Sequence, residues 1–222
     1  MKQIILDNIR FDRKLLLNLT KMFYNEVGTC LLYSGGSFET AQSSFLCLFP
    51  YDEICIERHR QWRTGVEGSQ RIECHETNPW EALKFLLPPL NGDHSFPEWV
   101  GYISYEMGAF SDQEQQQERP PSHIPFAYMQ RSGVIIAVDH IKERGTVIIA
   151  DPARYFLNEE QIKWIHRFKC KEHWEELAQN LSSLEDFTVQ AALSAKIVPA
   201  ESPEMFKDKV RKALELIHAG EI

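Results

Sequence analysis

Several signatures of common functional sites are missing from this sequence. It has no Cys-x-x-Cys pair and no His-x-x-x-His pair, so the motifs typical of zinc sites are absent. It also lacks the Gly-x-Gly-x-x-Gly spacing of dinucleotide-binding loops. No eighteen apolar residues run together, and the apolar run near the N-terminus is too short for a signal peptide. We therefore expect a soluble protein without a metal site and without a membrane partner.

The charge balance excludes another class of function. The chain has 222 residues, with 24 Lys and Arg against 32 Asp and Glu, which gives a net charge of -8. The basic residues are scattered rather than gathered into a stripe, so we expect no nucleic-acid partner. Its five cysteines occur singly. They are typical of buried, reduced thiols, which predicts a cytoplasmic protein.

Four helices are predicted from apolar spacing and from capping residues. Apolar residues between Phe11 and Tyr24 recur at helical spacing, with Gly28 beyond them. Asn78-Pro79 and Asn158 each begin a helix, since asparagine caps the first turn and proline suits its first position. Ser202-Pro203-Glu204 begins the last helix, which we expect to end at Gly220. Its apolar stripe consists of Phe206, Val210, Ala213, Leu214 and Ile217.

The remaining apolar runs predict strands. Residues 29–34 and 44–49 suggest a hairpin around a glycine-rich loop, and Pro50-Tyr51-Asp52 suggests a turn into a third strand, 53–58. Residues 60–73 alternate weakly, as edge strands do. The segment Phe96–Gly108 is predicted to be a central strand, in which Gly101 marks a bulge or a close crossing. Three further strands are predicted at 125–129, 133–139 and 146–150.

These elements together predict the fold class. The connections between the predicted strands are too short for crossover helices, so the sheet should be mostly antiparallel. The sequence therefore predicts an α+β lobe, with helices packed on a mostly antiparallel sheet. Asp139 and His140 lie at the end of a predicted strand and could act as an acid–base pair. A structural pair, with its hydrogen bonds satisfied at the strand end, is favoured because no nucleophile is identifiable nearby.

Several segments resemble motifs of one protein family. Leu31-Leu-Tyr-Ser-Gly35 resembles a leucine-leucine-x-serine strand, and Trp99-Val-Gly-Tyr-Ile-Ser-Tyr-Glu-Met-Gly108 resembles a strand of pattern Gly-Tyr-x-x-Tyr-Asp/Glu-x-Gly. Ile124-Pro-Phe-Ala-Tyr128 and Val134-Ile-Ile-Ala-Val-Asp-His140 resemble a proline-led strand and a strand ending in Asp-His. Phe206–Gly220 is similar to the helix that opens the family's chorismate-binding region. The family that these segments resemble is the component I subunits of aminodeoxychorismate synthase and anthranilate synthase, which use chorismate.

The resemblance implies a division into two parts. Residues 1–200 would form the N-terminal lobe of the anthranilate synthase component I fold, an incomplete sandwich here, and residues 201–222 would be the first helix of the chorismate-binding domain, truncated. The family's residues for chorismate and its magnesium ion (Mg2+) lie after that helix, so no catalytic residue is assigned and this chain alone is expected to be inactive. A separate glutaminase subunit would supply ammonia.

The resemblance also implies a ligand pocket. Several relatives hold tryptophan in this lobe, and Ser34 and Ser43 match the serines of that pocket. Tyr33 stands where anthranilate synthases usually have glutamate, which removes an acceptor for the ligand's ammonium group. This departure favours the aminodeoxychorismate branch, which makes 4-amino-4-deoxychorismate for folate. The alternatives are the matching lobe of an anthranilate synthase and a non-catalytic module that binds an amino acid or a protein.

Overall fold

The computed structural model describes residues 3–34, 42–64, 71–89, 96–111, 124–150, 158–182 and 201–220. The chain divides into two compact units, Met1–Glu185 and Asp186–Ile222. The predicted glycine-rich loop at 35–40 lies outside the described residues. The predicted boundary between residues 200 and 201 stays a prediction.

Eight strands of the first unit pair into one sheet. Every pairing is antiparallel, and the order β1-β8-β7-β3-β4-β5 is extended by β2 on β3 and by β6 on β7. Together with the helices, this sheet confirms the predicted α+β class. The strands are β1 (Gln3–Arg10), β2 (Cys30–Leu32), β3 (Ser43–Ile56), β4 (Gln61–Thr64), β5 (Arg71–Cys74), β6 (Val100–Ile103), β7 (Ala127–Asp139) and β8 (Arg144–Ala150).

The long strands β3 and β7 form the middle of the sheet, and both correct the sequence prediction. The expected turn at Pro50 is a bulge inside one continuous strand: Pro50 pairs with Ser132, but Asp52 pairs with Arg131, so β3 carries one extra residue. A bulge tolerates proline, which cannot donate to the ladder. The two strands predicted at 125–129 and 133–139 are likewise one, since β7 continues through Gly133.

The bulge exchanges the faces of β3. Before it, Leu46 and Leu48 belong to the main hydrophobic core, together with Val134 of β7. After it, Ile54 and Ile56 belong to a second core, together with Ala127. Side chains alternate along a strand, and Val134 and Ala127 are an odd number of residues apart on β7. The two cores therefore cover opposite faces of the sheet.

Each core is covered by its own helices. The main core packs under α1 (Arg13–Phe23), α3 (Glu159–Phe168) and α4 (Lys171–Ser182), and the second packs under α2 (Pro79–Leu86). The predicted caps are confirmed: Asn78 accepts a hydrogen bond from the Trp80 N–H, and Asn158 forms a reciprocal capping box with Gln161. Local sequence thus sets where these helices begin, and packing sets which face they cover.

The predicted central strand at 96–108 is wrong in its extent and its place. Only Val100–Ile103 forms β6, which pairs with β7 alone among the described strands, and Tyr105–Phe110 is a 3-10 helix. Aromatic enrichment suggested burial, but Tyr105 is 90% exposed. The predicted close approach at Gly101 is confirmed, because a Cβ there would lie 1.9 Å from the Tyr128 carbonyl oxygen.

The described part of the second unit is one helix, α5 (Pro203–Ala219). Ser202 caps it by accepting a hydrogen bond from the Met205 N–H, and Gly220 ends it in the left-handed conformation, as predicted. Across both units, none of the helices within the described ranges combines the length and the apolar character needed to span a membrane.

Candidate functional site

The candidate site lies where β2 meets the beginning of β3. The β2–β3 register ends at the pair of Leu32 and Phe45, and Ser34 and Ser43 each lie two residues beyond that pair. The Ser34 N–H confirms this neighbourhood, since it donates a hydrogen bond to the Ser44 Oγ at 2.9 Å. The structure therefore brings the two predicted serines to one corner of the sheet.

Ser44 is the serine that joins the elements of this corner. Its side chain is fully buried, and its Oγ lies 2.7 Å from the His140 Nε2. The backbone N–H of His140 donates to the Gln42 carbonyl oxygen at 2.8 Å. One hydroxyl thus connects the end of β2, the beginning of β3 and the residue after β7. The sequence prediction named Ser43 and missed Ser44.

Strand alternation explains the different roles of the two serines. Ser44 lies on the same face of β3 as Leu46 and Leu48, which belong to the main core. Its side chain is therefore buried at the end of this row of core residues. Ser43 is exposed and shares the other face with Phe45. The signal that identifies Ser44 is therefore its even spacing from two core leucines.

The surroundings of His140 favour its neutral form. Burial lowers its pKa and the Arg13 guanidinium lowers it further, while Asp139 opposes them. The Tyr33 ring meets the imidazole edge-on, with centroids 6.1 Å apart. Because a neutral imidazole can accept a proton at one nitrogen, the Ser44 hydroxyl can donate to Nε2 while accepting from Ser34.

Asp139 binds the turn that follows β7. Its Oδ1 accepts hydrogen bonds from the backbone N–H groups of Ile141 and Lys142, each at 3.0 Å, and the Lys142 Nζ lies 3.1 Å from its Oδ2. These contacts, led by the Lys142 N–H, lower the pKa of Asp139. The carboxylate therefore stabilises the turn after β7, as the structural interpretation of the pair predicts.

A cavity of about 640 Å³ opens on the face that carries Ser43. Its walls combine aromatic rings, a hydroxyl and both signs of charge, which suits a small zwitterion with an apolar side chain. Ser34 is not among its lining residues. The walls include Ser43, Phe45, Phe96, Asp139, Lys142, Arg144 and Thr146.

Four of these polar groups are already engaged, and two of them, Asp139 and Lys142, pair with each other at 3.1 Å. The Arg144 Nη1 donates to the Asn8 Oδ1 at 2.7 Å, and the Thr146 Oγ1 donates to the Asp7 Oδ1 at 2.8 Å. Ser43 and Lys142 complete the polar wall, and Phe45 and Phe96 provide an apolar one. An amino acid could therefore place its carboxylate at the cationic side and its side chain against the rings.

The described residues form no metal site beside this cavity. Within the described ranges, no group of three or more His, Cys, Asp or Glu side chains is placed to hold a metal ion. The Mg2+ ion implied by the family resemblance thus has no ligand set in this part of the chain, and it stays an expectation for the catalytic half.

Comparison with known proteins gives a structural likeness but no likeness in sequence. No protein-family model matches the chain, and no curated protein matches it. Among solved structures, it is similar to anthranilate synthase component I from Streptococcus pneumoniae TIGR4, with 17% identity and a TM-score of 0.46. The match covers 91% of this chain but 43% of that protein. A likeness of this size does not assign an activity to this chain.

Proposed function

We propose that this chain is the N-terminal lobe of an aminodeoxychorismate synthase component I. The whole enzyme would aminate chorismate to 4-amino-4-deoxychorismate, on the route to para-aminobenzoate and folate. A glutaminase subunit would supply the ammonia, and the chorismate-binding half would supply the catalytic residues and Mg2+. In this proposal the lobe supports the catalytic half and carries no catalytic residue of its own.

One observation carries this proposal: segments that resemble the same family are distant in sequence and adjacent in the structure. Ser44 connects the segment ending at Ser34 with the segment ending at His140. On β6 and β7, Ile103 pairs with Ala127, so two further resembling segments lie side by side. This adjacency supports the resemblance of the segments to one family.

The choice of branch rests on Tyr33. Its ring contacts His140 edge-on, and its backbone position is next to Ser34. A tyrosine at this position offers no carboxylate to an ammonium group. This favours the aminodeoxychorismate branch over the anthranilate branch, in which a glutamate usually stands there.

A second candidate function, a module that binds an amino acid, is favoured by the cavity at Ser43. Its volume of about 640 Å³ and its mixed lining suit a ligand of the size of tryptophan. This function is compatible with the first, since the lobe could hold such a ligand within a complete enzyme. It becomes the main function if the lobe exists alone.

The first experiment compares the native polypeptide with this chain. An antibody against the lobe would identify the polypeptide in its source, and its mass would be compared with 25.8 kDa. We expect a larger polypeptide that converts chorismate and ammonium to 4-amino-4-deoxychorismate. Anthranilate as the product would favour the other branch, and a native mass of 25.8 kDa would favour the binding module.

Calorimetry with tryptophan tests the cavity separately. We expect heat of binding from the wild-type lobe and weaker binding from Phe45→Ala, which removes an apolar wall. Phe85→Ala is the matched control, because Phe85 is 65% exposed and lies on α2 rather than in the cavity. A silent titration with the wild-type protein would contradict amino-acid binding and leave the synthase proposal standing.

A further inference from the structure

Two cysteines face each other across β2 and β3. Cys30 and Cys47 are directly paired in the antiparallel register. Opposite residues of an antiparallel pair have Cα atoms about 4.5–5.5 Å apart. This spacing falls within the Cα range of disulfides, about 4.4–6.8 Å.

Both side chains lie on the same face of the sheet. Cys47 belongs to a small hydrophobic cluster with Val100, Ile135 and Ile148, and Cys30 packs against that cluster. Direct cross-strand neighbours on one face have Cβ atoms about 4.5–5.5 Å apart, so the strands must approach slightly to reach disulfide geometry. Among the described strands β2 pairs with β3 only, and it is three residues long. A shift of β2 is therefore feasible without disturbing another pairing.

The other three cysteines have no such partner. Cys55 pairs with Trp62 on one side and with Tyr128 on the other, and Cys74 pairs with Gln61. Cys170 is exposed beside the start of α4. All five cysteines fall within the described residues and all five thiols are free. One pair is thus distinguished by its geometry.

We propose that Cys30 and Cys47 are a site of oxidative modification, at which a small disulfide such as oxidised glutathione converts the two thiols into a cross-strand disulfide. The Cys30 sulfur attacks one glutathione sulfur, which breaks the glutathione disulfide and forms a mixed disulfide. The Cys47 sulfur then attacks Cys30 and releases the second glutathione. The two cysteine protons end on the two glutathione thiols, and two electrons pass from the protein to the reagent.

Exposure sets the order of these two steps. Cys30 is partly exposed, whereas Cys47 is fully buried. Burial raises the pKa of both thiols, that of Cys47 to about 12, with Cys30 as a further contributor and Ser132 opposing. Because the thiolate is the reacting species, the exchange is slow at neutral pH and begins at Cys30.

The bond would act on the neighbouring site. Cys30 is four residues before Ser34, and Cys47 is two residues after Phe45, which lines the cavity. Fixing β2 against β3 would therefore change the affinity of the cavity for its ligand. That consequence rests on the proposed binding function, but the formation of the disulfide does not.

Peptide mapping of the full chain tests the proposal. The folded protein would be incubated with excess oxidised glutathione, its free thiols alkylated, and the product digested after glutamate. Trypsin cannot separate the two cysteines, because no Lys or Arg lies between them, whereas cleavage after Glu39 does. We expect one cross-linked pair of peptides, carrying Cys30 and Cys47, which reductant separates.

Variants decide the assignment. Cys55→Ser should leave the cross-link unchanged, and Cys30→Ser and Cys47→Ser should abolish it. The proposal is overturned if both cysteines remain fully alkylated, if Cys30 keeps glutathione without joining Cys47, or if other pairs form equally. Because this result needs neither ligand nor chorismate, it fails or succeeds independently of the proposed function.

Discussion

The Oγ of Ser44 lies 2.7 Å from the Nε2 of His140, and this contact joins the beginning of β3 to the residue after β7. The same oxygen accepts the backbone N–H of Ser34. One buried hydroxyl therefore satisfies groups from two other segments. The corner that carries the candidate site depends on it.

Replacing Ser44 by alanine should lower the free energy of unfolding by about 1–3 kcal/mol, because the Ser34 N–H and the imidazole would lose a buried partner. Urea unfolding followed by circular dichroism would measure the change. Ser43→Ala is the matched control: it lies one residue away and is exposed, so we expect less than about 0.5 kcal/mol. Equal losses from both serines would contradict the assigned roles.

His140 should make the fold sensitive to mild acid. Its pKa is lowered by burial and by Arg13, so the folded protein favours the neutral imidazole. The unfolded chain binds the proton more readily, and the stabilisation is therefore present above about pH 6.5 and lost as the pH falls below it. Unfolding free energies between pH 8 and pH 5 would be compared for the wild type and His140→Gln.

The comparison isolates His140 from the other seven histidines, because their contribution is common to both proteins. The wild type should lose stability more steeply below pH 6.5 than the variant does. Parallel curves would show that His140 titrates alike in the folded and unfolded chains.

Gly101→Ala should be strongly destabilising, by about 3 kcal/mol or more. The added Cβ would lie 1.9 Å from the Tyr128 carbonyl oxygen and 2.7 Å from the Met129 Cα, so β6 would have to move away from β7. Thermal unfolding would measure the loss. Gly108→Ala is the control, since its Cβ would meet no atom within 4 Å, and a comparable effect there would contradict the steric explanation.

Asp52→Asn should cost about 3–5 kcal/mol, because it removes the anion that Arg63 binds at a fully buried position, while Arg131 keeps its ion pair with Glu98. Arg63 donates to both oxygens of Asp52, at 3.0 and 2.6 Å, and Arg131 lies 3.9 Å away. Both guanidinium groups also lie over the Trp99 ring. Denaturant unfolding at low and high salt would measure the loss.

An exposed ion pair supplies the control for this change. Lys84 and Glu81 lie 3.7 Å apart on α2, with exposures of 80% and 60%. Lys84→Gln should change the unfolding free energy by less than about 0.5 kcal/mol. If the two substitutions had similar effects, the interaction at Asp52 would be no stronger than a surface pair.

Local chemistry made the helices predictable from the sequence. Asn78, Asn158 and Ser202 each accept a hydrogen bond from a backbone N–H in the first turn, so the capping pattern reported a contact within one turn of chain. The β2–β3 hairpin was predictable for the same reason. Sequence identifies these features because the interacting residues are close along the chain.

The errors concern residues whose environment is set by distant chain. Pro50 suggested a turn, but a long partner strand keeps β3 extended through a bulge. Trp99 suggested a residue buried within a central strand, but its ring lies beneath Arg63 and Arg131. The local sequence pattern does not reveal these two contacts. Ser44 was not singled out because its burial depends on the core beneath β3.

The bulge at Pro50 also bears on how the gene can change. Loss of the codon for Tyr51 would remove the extra residue and leave Asp52 opposite Arg131 and Ile56 opposite Ala127, so the later side chains of β3 would keep their faces. Loss of the codon for Ile54 would instead bring Cys55 opposite Met129 and turn Ile56 away from the core under α2. A missing triplet is therefore tolerated by the strand pairing at the bulge and disruptive beyond it.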